Sequence, residues 1–227
     1  MDAKHTRHII GIGSQRFKVG WLEPDEANKY APSVRELLYE TWRQRFVDTG
    51  IMSEEDLRLK IDPRSREQRA AQTERIRDIS EKGGKYIVAM ETSQLGFRHP
   101  ILSSLVRTET YLSAEHDDYP NISDIESLPE QVSPLSAYLL KMALSDYGDT
   151  KLSVYSEEPN PGMNDWLVGE LSMEPSGRQP EEKIGSYTMR YIQFIGRVAT
   201  VSERANQITA AAIDTDPLKT FQILNPR

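Results

Sequence analysis

Cysteine is missing from all 227 residues. Its absence excludes disulfides, thiolate nucleophiles and Cys-ligated zinc, and it agrees with a reducing compartment. Histidine is scarce, at 4, so a histidine-based metal cage is hard to assemble. Long apolar runs are missing too. Nothing approaches the roughly 20 residues that a membrane helix needs. Met1-Asp2-Ala3-Lys4-His5-Thr6-Arg7-His8 has no apolar signal core, and Ile9-Ile10-Gly11-Ile12-Gly13 is too short to be one. Dense basic runs do not occur. Lys and Arg total 28 against 35 Asp and Glu, a net charge of -7, which argues against a nucleic-acid partner because phosphates call for a basic face. A dinucleotide fingerprint fails at Arg16, where the third glycine after Gly11 and Gly13 would stand, and no Gly-x-Ser-x-Gly elbow exists. The expectation is a cytoplasmic protein with no membrane or nucleic-acid partner.

What is present alternates between strand and helix patterns. Phe17 to Leu22 reads as a first strand and Glu23-Pro24-Asp25 as a turn. Val34, Leu37, Leu38, Thr41, Trp42 and Phe46 recur at helical spacing, with an end near Gly50. Ser53 before Glu54, Glu55 and Asp56 starts a second helix, and Ser65 starts a charged surface helix that stops at Gly83-Gly84. Lys85 to Glu91 is β-rich, Thr92-Ser93-Gln94 is a turn, and Leu95-Gly96-Phe97 opens another strand. Leu105 to Leu112 is a further strand or a helix end, and Asn121 to Leu128 is a strand. Ser133 as N-cap with Pro134 at the first helical position predicts a helix to about Tyr147, with Leu135, Leu139, Met142 and Ala143 on its apolar face. Lys151 to Tyr155 is a strand, Met163 to Leu171 a short helix and Ser186 to Ile195 a long final strand. Val198, Val201, Ile208 and Ala210 to Ile213 suggest a helix in the tail. The order suits one mixed α/β domain: residues 1–16 a flexible terminus, 17–196 the domain, 197–227 an extension. The long final strand and tail offer a surface for a homodimer.

The segment Asp124-Ile125-Glu126-Ser127-Leu128-Pro129-Glu130-Gln131-Val132-Ser133-Pro134-Leu135-Ser136-Ala137 reads as strand, tight loop and apolar helix start. It resembles the acetyl-CoA-binding core of the GNAT superfamily of N-acetyltransferases. That core has a strand ending near Pro, then Gln/Arg-x-x-Gly-x-Gly/Ala, then a helix. Support comes also from Val19 to Phe46, from Lys85 to Phe97, and from Leu152-Ser153-Val154 followed by Asn160. The resemblance implies a mostly antiparallel central sheet flanked by helices, with splayed fourth and fifth strands. It implies acetyl transfer from acetyl-CoA, with no metal, to a primary amine of a small molecule or peptide. Glu126, Ser127 and Leu128 would pair with the pantetheine arm. Gln131, Val132, Ser133, Pro134, Leu135, Ser136 and Ala137 would hold the pyrophosphate, Asn160 would approach the thiol, and Glu126 would be the general base.

Departures stand beside the matches. The two glycine positions hold Pro134 and Ser136, and Pro134 has no N–H to donate. Ser136 carries a hydroxyl that could donate instead. Trp166, Leu167 and Val168 stand where a tyrosine acid is usual, and Ser172-Met173 replaces Gly-Phe. A divergent transferase and an inactive GNAT-fold module that binds CoA or a protein both fit. Glu126 is equally a base or a plain strand carboxylate. Tyr155 and Tyr138 are phenols that could serve the thiol or simply pack, and Trp42 and Tyr39 line an acceptor pocket or the core. His116-Asp117-Asp118 reads as solvated loop. Arg64, Arg66, Arg69, Arg75 and Arg77 read as a solvated helix face beside Glu67 and Glu74, or as a rim for an anionic cofactor.

Overall fold

The computed structural model describes residues 7–92, 102–111, 119–128, 132–177 and 180–214. His8–Ile12 (β1) and Gln15–Trp21 (β2) pair across a two-residue loop whose first residue, Gly13, has φ 56, the left-handed conformation such loops demand. The sheet therefore begins at His8 rather than Phe17, and residues 8–16 are not a flexible terminus. Adjacent Ile9 and Ile10 are both buried, because β1 is covered on both faces, and this hides the alternation that marks an ordinary strand.

Glu23 caps a short 3-10 turn, Pro24–Glu26, that runs into helix α1, Ala27–Trp42, which continues as a wide π turn over Arg43–Val47. Ser53 caps α2 (Glu54–Lys60) and Ser65 caps α3 (Arg66–Glu81), each accepting an N–H with its hydroxyl, as their sequence signals require. Then come β3 (Lys85–Glu91), β4 (Ser104–Tyr111), β5 (Tyr119–Ser127), α4 (Val132–Leu144) and β6 (Lys151–Glu157). Asn160 caps α5 (Pro161–Asp165), which widens into a second π turn, Trp166–Glu170. Beyond it lie β7 (Glu174–Pro175), β8 (Glu181–Ile184), β9 (Tyr187–Arg197), α6 (Val198–Ala212) and β10 (Ile213–Asp214). The expected strand at Leu95 to Phe97, the loop at His116 to Asp118, and Gln131 lie outside the described residues.

The strand order is β10-β1-β2-β3-β4-β5-β6-β9-β7, with β8 also on β9. Every pair is antiparallel except β5–β6. Because β1 precedes the expected first strand, the splayed fourth and fifth strands are β5 and β6 here. β9 pairs with β6 on one side and with β7 and β8 on the other. Helices cover both faces. Ile87, Ala89 and Val106 pack with α4 and α6, whereas Tyr86, Val88 and Met90 pack with α1 and α3, the two-sided alternation of a central strand. Thus α3 is not wholly a surface helix: Gln72, Thr73, Ile76 and Ile79 are buried. Among the described residues no helix is long and apolar enough to cross a membrane.

Candidate active site

The parallel pairing of β5 and β6 extends over Asn121↔Ser153 and Ile122↔Val154 and then stops. A hydrogen bond of 2.7 Å from the Ser153 hydroxyl to Asn121 Oδ1 holds that short contact. Beyond it the strands part. Opposite β4, Arg107 faces Asp124 while Thr108 faces Ile122, so Ser123 is the extra residue of a β-bulge. The bulge explains why Ile122 and Ile125, three apart, both join the core beneath α4, which a straight strand forbids. It turns Asp124 and Glu126 the other way, toward α1.

Glu126 is 2% exposed. Its Oε1 accepts the Trp42 indole N–H at 3.2 Å, and its Oε2 accepts from Arg45 at 2.9 Å. Arg45 sits in the π turn after α1, a distortion often found at functional sites. The same guanidinium donates to Glu157 of β6 at 3.2 Å, and the Asn160 amide donates to that Glu157 oxygen at 3.3 Å. Two carboxylates on two diverging strands therefore share one arginine. Burial is the largest influence on Glu126 and, with the charges of Glu157 and Asp124, pushes its carboxyl from 4.5 up to about 7 against the pull of Arg45.

Two cavities lie on either side of this part of the sheet. The one on the α1 side is about 450 Å³ and is lined by Trp42, Arg35, Arg75, Asp124, Tyr155 and Glu157 among others. The other, about 280 Å³, lies between the end of β5, the start of α4 and the start of α5, and touches Arg45, Ser127, Ser136, Asn160 and Met163. Between them Glu126, Tyr155, Glu157 and Asn160 border a gap of about 20 Å³.

Two features of the second cavity bear on what it could hold. No strand pairs with the β6-facing edge of β5 beyond Ile122 among the described residues, so that backbone is placed to bond amides as an added strand would. The N-terminus of α4 lies alongside, where a helix attracts anions. Pro134 falls in the first turn of α4 rather than at its first position, since the helix begins at Val132 and not after a Ser133 cap. First-turn N–H groups have no partner within the helix, so the proline costs the fold little but removes one donor. Ser136 is 1% exposed, and its hydroxyl and that of Ser127 are hydrogen-bonded at 2.7 Å. Leu135 and Ala137 bury their side chains in the core.

Of the other expected residues, Trp42 lines the larger cavity, while Tyr39 turns away to bond Glu54 and Arg58. Tyr155 borders the gap, whereas Tyr138 stacks edge-on with His8 at 5.7 Å across the fold. Arg77 pairs with Glu74 as a surface residue, and Arg75 lines the larger cavity. No metal-binding group occurs among the described residues. Arg45, Glu157, Arg35 and Tyr191 escape sequence reasoning. Only weak signals pointed to the first two: Arg45 is one helical turn past Trp42, and Glu157 shares the face of Tyr155. Tyr191 donates to Glu182 at 2.8 Å, and burial followed by that bond drives its phenol pKa upward.

No family model and no curated protein matches the chain. Solved structures do. Spermidine N-acetyltransferase from Vibrio cholerae, solved with CoA and spermine, is 12% identical with a TM-score of 0.53, covering 82% of this chain and 97% of its own. A GNAT superfamily phosphinothricin acetyltransferase from Sinorhizobium meliloti, solved with acetyl-CoA, is 13% identical with a TM-score of 0.54, covering 80% and 88%. These likenesses, with the mixed sheet and its parallel pair, give the chain the GNAT fold.

Proposed function

We propose that this GNAT-fold protein transfers an acetyl group from acetyl-CoA to the primary amine of a small molecule or peptide. The observation that carries the reading is a buried carboxylate with pKa about 7, set where two strands part and bordering a small gap between two cavities. Acetyl-CoA would lie in the smaller cavity, against the open edge of β5 and the N-terminus of α4, and supplies an activated acyl carbonyl. The amine would arrive through the larger one. Glu126 removes the ammonium proton, since a base poised near neutral pH is well matched to that step. Tyr155 is the phenol at the gap and is assigned to protonate the departing thiolate. Asn160 positions Glu157 and caps α5 beside the thiol end.

A second reading, an inactive module, is favoured by two features. Arg45 bridges Glu126 and Glu157 across the splay, and the first turn of α4 offers one donor fewer at Pro134. Calorimetric titration with acetyl-CoA and CoA, followed by a thiol-release assay over an amine panel, separates the two. Micromolar binding with turnover that disappears in Glu126→Gln is expected. Binding without turnover leaves the module, and no binding at millimolar cofactor overturns both uses of acetyl-CoA.

A further inference from the structure

Charge in the larger cavity is unbalanced at both ends. Toward β5 and β6, Glu126 and Glu157 share Arg45, and Asp124 pairs with Arg107 at 2.9 Å. Three carboxylates there face two guanidiniums. The helical wall is the reverse. Arg35 of α1 is 8% exposed, and no carboxylate comes within ion-pair distance of it among the described residues. Its guanidinium donates to the Lys60 carbonyl at 3.2 Å and to the Gln68 side chain, while its Nε has no hydrogen-bond partner. Arg75 of α3 lines the same cavity; burial depresses the Arg35 pKa most, the charge of Asp62 acts against that, and the charge of Arg75 depresses it further. Its own anionic contact is Glu109 at 3.6 Å, and Lys60 is held by Glu182.

A buried cation whose only carboxylate influence, Asp62, stays beyond ion-pair distance is poorly compensated, and a neighbouring guanidinium makes it more so. An incoming anion would relieve both, and a carboxylate matches the fork of an arginine with two parallel hydrogen bonds. A second ammonium at that wall would meet repulsion, which disfavours acceptors that are polycations. We propose that the acceptor is a zwitterion of the amino-acid class, its carboxylate held by Arg35 and Arg75 and its amine presented to Glu126 and Glu157. This rests on the transferase reading for its chemistry, but the charge argument concerns binding alone.

The test is calorimetric titration of the CoA-bound protein with free amino acids, their carboxamides and the matching decarboxylated amines. Acetyl transfer is followed in parallel by thiol release. At least one free acid is expected to bind about 10-fold or more tighter than its carboxamide. Arg75→Gln should erase that preference by weakening the acid about 10-fold while moving the carboxamide less than about 2-fold. Arg75 is half exposed, so its loss spares the fold, and Arg35→Lys should act in the same direction. Carboxamides or amines that bind as well as the acids, or acids that fail to bind at millimolar concentration, overturn the proposal even if acetyl moves to some other amine. Selective acid binding with no acetyl transfer upholds the zwitterion site and overturns the transferase reading instead.

Discussion

Glu126 stands between two opposing influences, a buried environment that favours its neutral form and an arginine that favours its charge. Burial wins, and the carboxyl reaches about 7. If it acts as the base, kcat/KM should rise as pH climbs through about 7, where the proton leaves. Glu126→Gln should lower kcat by about 100-fold or more and abolish that rise. Trp42→Phe removes one donor to the ionised form, so the midpoint should move upward, by about half a unit to one unit. Stability has the opposite sign. The folded pKa lies above the unfolded value of 4.5, so between 4.5 and about 7 the unfolded state releases its proton first and stability falls as pH rises. Above about 7 the whole penalty is present, and Glu126→Gln should melt no lower than the native protein at pH 8. A native-like melting curve with unchanged pH–rate behaviour in that variant would exclude Glu126 as the base.

The β8–β9 hairpin is fastened by one carboxylate. Asp56 accepts the Ser186 N–H at 2.8 Å and the Ser186 hydroxyl at 2.6 Å, and also takes a bond from Ser53, the cap of its own helix. Gly185 makes the turn at φ 58, and a Cβ there would lie 1.9 Å from Asp56 Oδ1. Gly185→Ala should therefore cost more than about 1 kcal/mol, seen as a fall of about 2–4 °C in Tm per kcal/mol. The bonds from Ser186, side chain first, hold the Asp56 carboxyl below its usual 3.8. Its contribution is present above 3.8 and is lost as pH falls through the folded value. Asp56→Asn should lower Tm at pH 7, and the difference should shrink in acid. Elements written in local signals were legible: the caps at Ser53 and Ser65, the strand at Lys85 to Glu91, and the body of α4, though not its start at Val132. The bulge at Ser123, the π turn that carries Arg45 and the β8 strand were not. Each depends on partners distant in sequence, and no spacing rule encodes the parting of β5 from β6. Glu126 drew notice only through the family resemblance, and its link through Arg45 to Glu157 joins residues from three elements.

At the scale of the molecule, α4 is covered by α6, where Val198, Val201 and Ala205 are almost fully buried. Val201→Ala should cost about 2 kcal/mol and lower Tm by about 4–8 °C; a smaller effect would mean that α6 packs more loosely than its burial implies. β10 then pairs with β1 at Gly11↔Asp214 and Ile12↔Ile213, so the earliest strand has the latest as its neighbour. That pairing sets a timetable during synthesis. The antiparallel run from β1 to β5 can assemble as the chain emerges and receive α4 on its face, yet the side of α4 that α6 covers must wait until β9 has been made. A nascent chain stalled before Val198 would leave that side of α4 open to the surroundings, a surface that chaperones and aggregation would both compete to cover.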